Sequence, residues 1–141
     1  MGRQARKLDA ARASGGSRMA QPGKDIPPWA EPPKTITYKD EALRERLNEK
    51  LVYQAYVSDE DWTRRKFYPG NKLIIKLKDE VVGEAQIVLV EAAPMGSLTR
   101  HDATVSGYEE VEHLVIALRK ELPTERKWEK TEVYKILYRW L

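Results

Sequence analysis

Residues 83–122 read GEAQIVLVEAAPMGSLTRHDATVSGYEEVEHLVIALRKEL, and the fold turns on how this stretch divides. Val81 to Glu91 is the longest apolar run and predicts a strand. Gly83 inside it predicts a bulge or bend of the kind that lets a small sheet curl. Ala92 to Ser97 predicts a turn. Thr99-Arg100-His101-Asp102 has capping-box spacing, with Thr99 as the cap and Asp102 reaching back to it; it opens a short helix that Gly107 ends. From Tyr108 to Leu122, Val111, Leu114, Val115, Leu118 and Leu122 share one helical face, while Glu109, Glu110, Glu112, Arg119 and Lys120 lie off it. His113 falls near that stripe and reads as structural. Pro123 stops the helix.

Upstream, Ile36 and Tyr38 alternate with Thr37 as a short strand. Asp40 is placed to cap a helix carrying Ala42, Leu43 and Leu47, closed near Asn48. Leu51 to Val57 (LVYQAYV) and Lys72 to Lys78 (KLIIKLK) predict strands. Ser58 to Asn71 reads as a long polar loop ending in a Pro69-Gly70-Asn71 turn. Downstream, Glu132 to Leu141 (EVYKILYRWL) predicts a closing strand. There is no internal repeat. Strand, helix, several strands, a helix pair and a last strand predict an α+β fold, a small curled mixed β-barrel flanked by helices.

The chain has 141 residues, enough for a single domain with a modest core. It has no cysteine, which removes disulfides, thiolate metal sites and a cysteine nucleophile. His101 and His113 are too few for an all-histidine metal site, and no phosphate-cradling glycine loop or hydrolase triad is present. No cofactor is expected. No apolar run approaches the roughly 20 residues that span a bilayer, and no secretory signal is visible. These features predict a cytoplasmic protein that keeps clear of membranes. High charge without cysteine also suits a thermophilic archaeal source.

Charge divides the chain. Residues 1–35 hold seven basic side chains (Arg3, Arg6, Lys7, Arg12, Arg18, Lys24, Lys34) against three acidic ones (Asp9, Asp25, Glu31). The rest holds 18 basic and 19 acidic, so the excess positive charge is entirely in the first quarter. Residues 1–33 therefore read as a basic, proline-rich, flexible arm, and residues 34–141 as the domain. A basic arm on a near-neutral body suits nucleic acid: the arm neutralises phosphates and releases counterions, and the body supplies shape. Ile26 and Trp29 in the proline-rich stretch predict a clip onto a surface, either its own domain or a partner.

The ordered series of motifs resembles the ASCH domain of the PUA-like superfamily, in its archaeal type, over about residues 35–141. The residues that carry it are the Gly83-Glu84-Ala85 strand start, Leu98-Thr99, the Gly107-Tyr108 junction, the Glu109 to Leu114 helix start, and Tyr68-Pro69-Gly70-Asn71, with Asn71 where the family has aspartate. The resemblance implies a curled sheet flanked by helices, with a cleft suited to RNA or a modified nucleoside. Hydrolytic members resembling the acetylcytidine amidohydrolase use a lysine, a threonine and a glutamate. Carried over, the lysine falls at Lys50, the threonine at Tyr53, the arginine at Ala55 and the glutamate at Ser106. Only the lysine is kept, so the proton-transfer carboxylate is missing.

The candidate RNA-binding residues follow. Lys50 is read as a phosphate ligand or a helix-end lysine, and Tyr53 as a base-stacking or a core aromatic. Arg64, Arg65 and Lys66 beside Trp62 combine cations with a stacking surface. Arg100 and His101 sit in the first turn of the short helix. Arg3, Arg6, Lys7, Arg12, Arg18 and Lys24 are the arm's phosphate contacts. Lys135 and Arg139, evenly spaced on the last strand, predict one basic face. The reading is a non-catalytic RNA-binding protein, acting on rRNA or tRNA and associated with the ribosome. Its alternatives are an amidohydrolase or ribonuclease using Lys50 on a modified nucleoside or RNA, and a protein–protein adaptor docking through Ile26 to Pro33 or Tyr108 to Leu122.

Overall fold

The computed structural model describes residues 26–141. The six arm cations (Arg3, Arg6, Lys7, Arg12, Arg18 and Lys24), and most of the expected arm with them, lie outside the described residues. Among the described residues five strands form one sheet: β1 (Lys34–Tyr38), β2 (Gln54–Ser58), β3 (Lys72–Leu77), β4 (Glu80–Pro94) and β5 (Glu132–Trp140). Their order is β1-β3-β4-β5-β2. β1 runs parallel to β3, and the other pairs are antiparallel. The helices are α1 (Arg44–Asn48), α2 (Asp59–Arg65), α3 (Arg100–Val105) and α4 (Val111–Glu121). This is the expected α+β architecture with a curled mixed sheet.

The curl has a local cause. Ile75 pairs with Gly83 and Lys76 with Val81, so Val82 is an extra residue on β4 beside the expected glycine. Ile87 pairs with Tyr138 and Leu89 with Leu137, which makes Val88 a second extra residue. Each bulge bends β4 and adds twist. Inside the curve, Ile36, Leu73, Ile75, Leu77, Ile87, Ile136 and Tyr138 pack with Leu47, Val52 and Phe67 as the main core. A smaller core of Met95, Leu98, Ala103, Leu114, Leu118 and Val133 joins α3 and α4 to the sheet.

Several local expectations change. The segment after Ser58 is not all loop: it opens with α2. Ser58 Oγ accepts the Asp61 N–H, acids at 59–61 complement the helix N-terminus, and Lys66 closes the helix in a left-handed conformation (φ 58°). With only Trp62 as an apolar contact, α2 has no stripe for periodicity to detect. The left-handed residue after α1 is Lys50 (φ 61°), not Asn48. β4 runs through the expected turn to Pro94, and the turn itself is Met95–Ser97. His113 is exposed on α4 and is not structural.

Residues 26–33 do fold back on the domain, though not through the apolar side chains expected. Ile26 and Trp29 stay exposed, at 41% and 59%. The clip is Asn71, which is fully buried: its amide donates to the Pro28 carbonyl (3.0 Å) and the Glu31 carboxylate (3.3 Å), while its Oδ1 accepts the Tyr68 N–H (2.8 Å). Asn71→Asp replaces that donor with an oxygen facing two acceptors. It is expected to cost about 2 kcal/mol at pH 7, read from the urea midpoint, and to expose residues 26–33 to proteolysis. Protonating the new carboxyl at low pH restores a donor and narrows the deficit.

Candidate functional site

β1 and β2 are the two free ends of the strand order, and the curl turns them toward each other. Tyr38 Oη donates to the Gln54 carbonyl (3.0 Å) and lies 2.9 Å from Tyr138 Oη. Burial, reinforced by the neighbouring Tyr138, holds the Tyr38 hydroxyl far above its ordinary range. On the other side, Arg65 Nη1 donates to the Thr35 carbonyl (2.8 Å). Between these bridges runs a groove of about 460 Å³ walled by Thr37, Lys39, Tyr56, Arg64, Arg65 and Glu121. It meets a smaller hollow reached by Gln54, Ser106 and Tyr108. Burial and the nearby Asp40 charge raise the Glu121 carboxyl, with Lys39 partly opposing.

A buried polar cluster forms beside the hollow. Asp102 and Thr99 make the full expected capping box. Asp102 Oδ2 accepts the Thr99 N–H (2.9 Å) and hydroxyl (3.1 Å). Its Oδ1 accepts from Gln54 Nε2 (3.1 Å) and faces Lys135 Nζ (3.4 Å). Gln54 also donates to Tyr56 Oη (2.8 Å), which lies 2.8 Å from Ser106 Oγ. Burial by itself would raise the Asp102 carboxyl, but the donors from Thr99 and Gln54 and the Lys135 charge outweigh it and hold it below its ordinary value. Burial pushes the Tyr56 hydroxyl up to about 12, against hydrogen bonds from Ser106 and Gln54. The cluster is a set of mutually satisfied donors and acceptors with no unpaired base in it.

The residues singled out from the sequence fall in separate places. Lys50 Nζ donates to the Val82 carbonyl (2.7 Å) and sits over the Trp140 ring (4.7 Å). Among the described residues no carboxylate pairs with it. Tyr53 is partly exposed at 38%, outside the core, with its backbone bound to Val105 and Tyr138. Trp62 stacks flat on Tyr134 (4.7 Å) and donates to the Phe67 carbonyl. Arg65 pins β1 and covers the Phe67 ring, whereas Arg64 is 71% exposed beside Asp61. Lys66 lies over Trp62. Arg100 and His101 are exposed at the start of α3. The groove gathers Arg64 and Arg65 but none of the others.

Sequence reasoning missed Gln54 and Tyr56, and gave Lys135 a different role, in a basic face with Arg139. A signal was present for two of them: Gln54 is the one polar residue in LVYQAYV that is buried, and Lys135 interrupts an apolar strand. Lys135 and Arg139 do not form one basic face, because Lys135 turns to Asp102 and Glu91 while Arg139 reaches Gln86 on the surface. Among the described residues no group of histidine and carboxylate side chains is placed to hold a metal ion, and no helix is long and apolar enough to cross a membrane.

No family model matches the sequence, and no curated protein matches it. The fold does match solved structures. A Lactobacillus crispatus ASCH domain superposes with a TM-score of 0.53 at 8% identity, over 76% of this chain and 79% of that one. The fold is that of an ASCH domain. An Enterococcus faecalis protein of the family model DUF984 (TM-score 0.55, 12% identity, 77% of this chain and 76% of that one) has a similar structure. So does the hypothetical protein PH0355 (0.54, 16%, 77% and 99%). At such identities the ASCH likeness speaks for the fold, as the motif series implied, and the chemistry has to be argued from this chain's own residues.

Proposed function

We propose that this chain binds RNA through unpaired bases and does not transform it, with residues 1–33 as a phosphate-binding arm on the domain at 34–141. One observation carries the reading: the two sheet edges flank a groove large enough to admit a base, whose walls present hydroxyls and the exposed cations Lys39 and Arg64. Lys39, Arg64 and Arg65 are balanced in the groove by Glu60, Asp61 and Glu121. The groove thus suits a neutral, flat, hydrogen-bonding base, and the phosphates fall to Arg64, Lys66 and the arm. A cytoplasmic, ribosome-associated factor contacting rRNA or tRNA is the form of this reading that the arm-on-body plan favours. Lys50, committed to Val82 and Trp140, supports binding over hydrolysis.

Titration of the full chain with a single-stranded RNA oligonucleotide over a range of KCl concentrations tests it. Binding is expected at low salt. Deleting residues 1–25 is expected to flatten the dependence of log affinity on log salt by about 0.7 for each phosphate that the arm neutralises, or roughly four if all six arm cations engage. Arg64→Ala with Lys66→Ala should weaken binding further. No detectable affinity at low salt, or capture of a protein partner that persists after ribonuclease treatment without any RNA affinity, would rule the reading out.

A further inference from the structure

Three acids line the groove, and two of them are accounted for. Asp61 faces Arg64 (2.6 Å) and Arg65 (3.2 Å). Glu60 stands in the first turn of α2, where a negative charge complements the helix. Glu121 has no such support. It is the last residue of α4, where the helix carbonyls favour a cation and disfavour an anion. Burial and then the Asp40 charge oppose its ionisation further, with only Lys39 easing it. Its carboxylate accepts no hydrogen bond among the described residues. Yet it is the one side chain common to the groove, the smaller hollow beside it and a third recess of about 520 Å³ between α4 and residues 39–42. The fold thus holds an unsatisfied acceptor where the recesses meet, at a cost to itself. A charge kept in a cleft against its surroundings is the mark of a ligand contact rather than of folding.

We infer that Glu121 selects guanine as the base held in the groove, its two carboxylate oxygens accepting the adjacent ring N–H and exocyclic amine of that base. The inference rests on the RNA reading above and names the base. An ionised carboxylate only accepts, so the ligand must bring the donors. The pairing edge of guanine offers two donors side by side. That of uracil offers one donor between two acceptors, and those of adenine and cytosine each set one amine beside an acceptor nitrogen. Guanine therefore gives both oxygens a partner without turning a lone pair toward either. An arginine side chain also presents paired donors, but its charge would meet Lys39 and Arg64, both exposed in the same groove; a neutral donor pair meets no such penalty.

Fluorescence anisotropy of the full chain is the test, with a single-stranded oligouridine carrying one central guanosine, inosine, adenosine or cytidine. The wild type is expected to bind the guanosine oligonucleotide about tenfold more tightly than plain oligouridine. Inosine, which lacks only the exocyclic amine of guanosine, should lose most of that gain. Glu121→Gln should abolish the preference and keep the affinity for oligouridine with its salt dependence. Its urea midpoint should equal or exceed that of the wild type, because the change removes an opposed charge; a glutamate that served the fold would give a lower one. If the variant fails to fold, the inosine comparison on the wild type decides. Equal binding of all the inserts, inosine bound as tightly as guanosine, a preference that survives Glu121→Gln, or a lowered urea midpoint overturns the inference and leaves RNA binding standing. No affinity for any of these RNAs removes both.

Discussion

Asp102→Ala is expected to lower the stability of this protein by about 3 kcal/mol at pH 7, measured by urea denaturation. The carboxylate fills three roles at once. It caps α3 by accepting from Thr99, it satisfies the buried Gln54 amide, and it faces the Lys135 amine, which is only 18% exposed. Losing the reciprocal acceptor of the capping box costs about 1 kcal/mol; stranding an amide and partly stranding a buried lysine accounts for the rest. Asp102→Asn recovers the Thr99 contacts but turns an N–H toward Gln54 and Lys135, so its effect should be smaller, about 2 kcal/mol. The pH dependence has a definite sign. Because the folded carboxyl titrates below its unfolded value of about 3.9, its contribution is fully present above that value and is lost as pH falls through the folded one. The gap between wild type and Asp102→Ala should be constant from pH 5 to 8 and narrow in acid (~pH 4 and below), by the part that ionisation contributes. A destabilisation under about 1 kcal/mol would show that the cluster is not coupled as described.

Gly107→Ala is expected to be comparably damaging. Gly107 has φ of 94°, in the region L side chains rarely adopt. A Cβ there would stand 2.8 Å from Leu43 Cδ2 and 3.0 Å from Val52 Cγ2, and both neighbours are buried in the main core. Backbone strain of about 1–2 kcal/mol and overpacking of about 1–3 kcal/mol together predict roughly 3–4 kcal/mol, seen as a lowered urea midpoint. The pair Gly107-Tyr108 is thus a close joint between the short helix and the core. Tyr108 secures it from the other side by donating to Asp40 Oδ2 (2.7 Å).

What could be read from the sequence follows from which signals are local. The capping box at Thr99, the left-handed Gly107, the α4 stripe and the bulge beside Gly83 are all fixed by neighbouring residues, and each is where its pattern places it. The helix α2 was illegible because its stability comes from a serine cap, terminal charges and the packing of one tryptophan, none of them periodic. The site was harder still. Gln54, Tyr56, Ser106 and Lys135 come from three separate segments, and nothing in any one segment announces a partner in another. Trp62 and Lys50 looked free as residue types, yet tertiary contacts with Tyr134 and with Val82 and Trp140 engage both.

The strand order has a consequence for how the chain reaches this state. The partner of β2 is β5, with Gln54 opposite Leu137, so β2 must wait for a segment far later in the sequence. At ribosomal speed that delay is on the order of ten seconds. Through it the apolar side of β2, with Ala55 and Val57, has no sheet to join. Assembly is therefore set by one non-local closure at the end, and slow, late-committing folding is built into the topology.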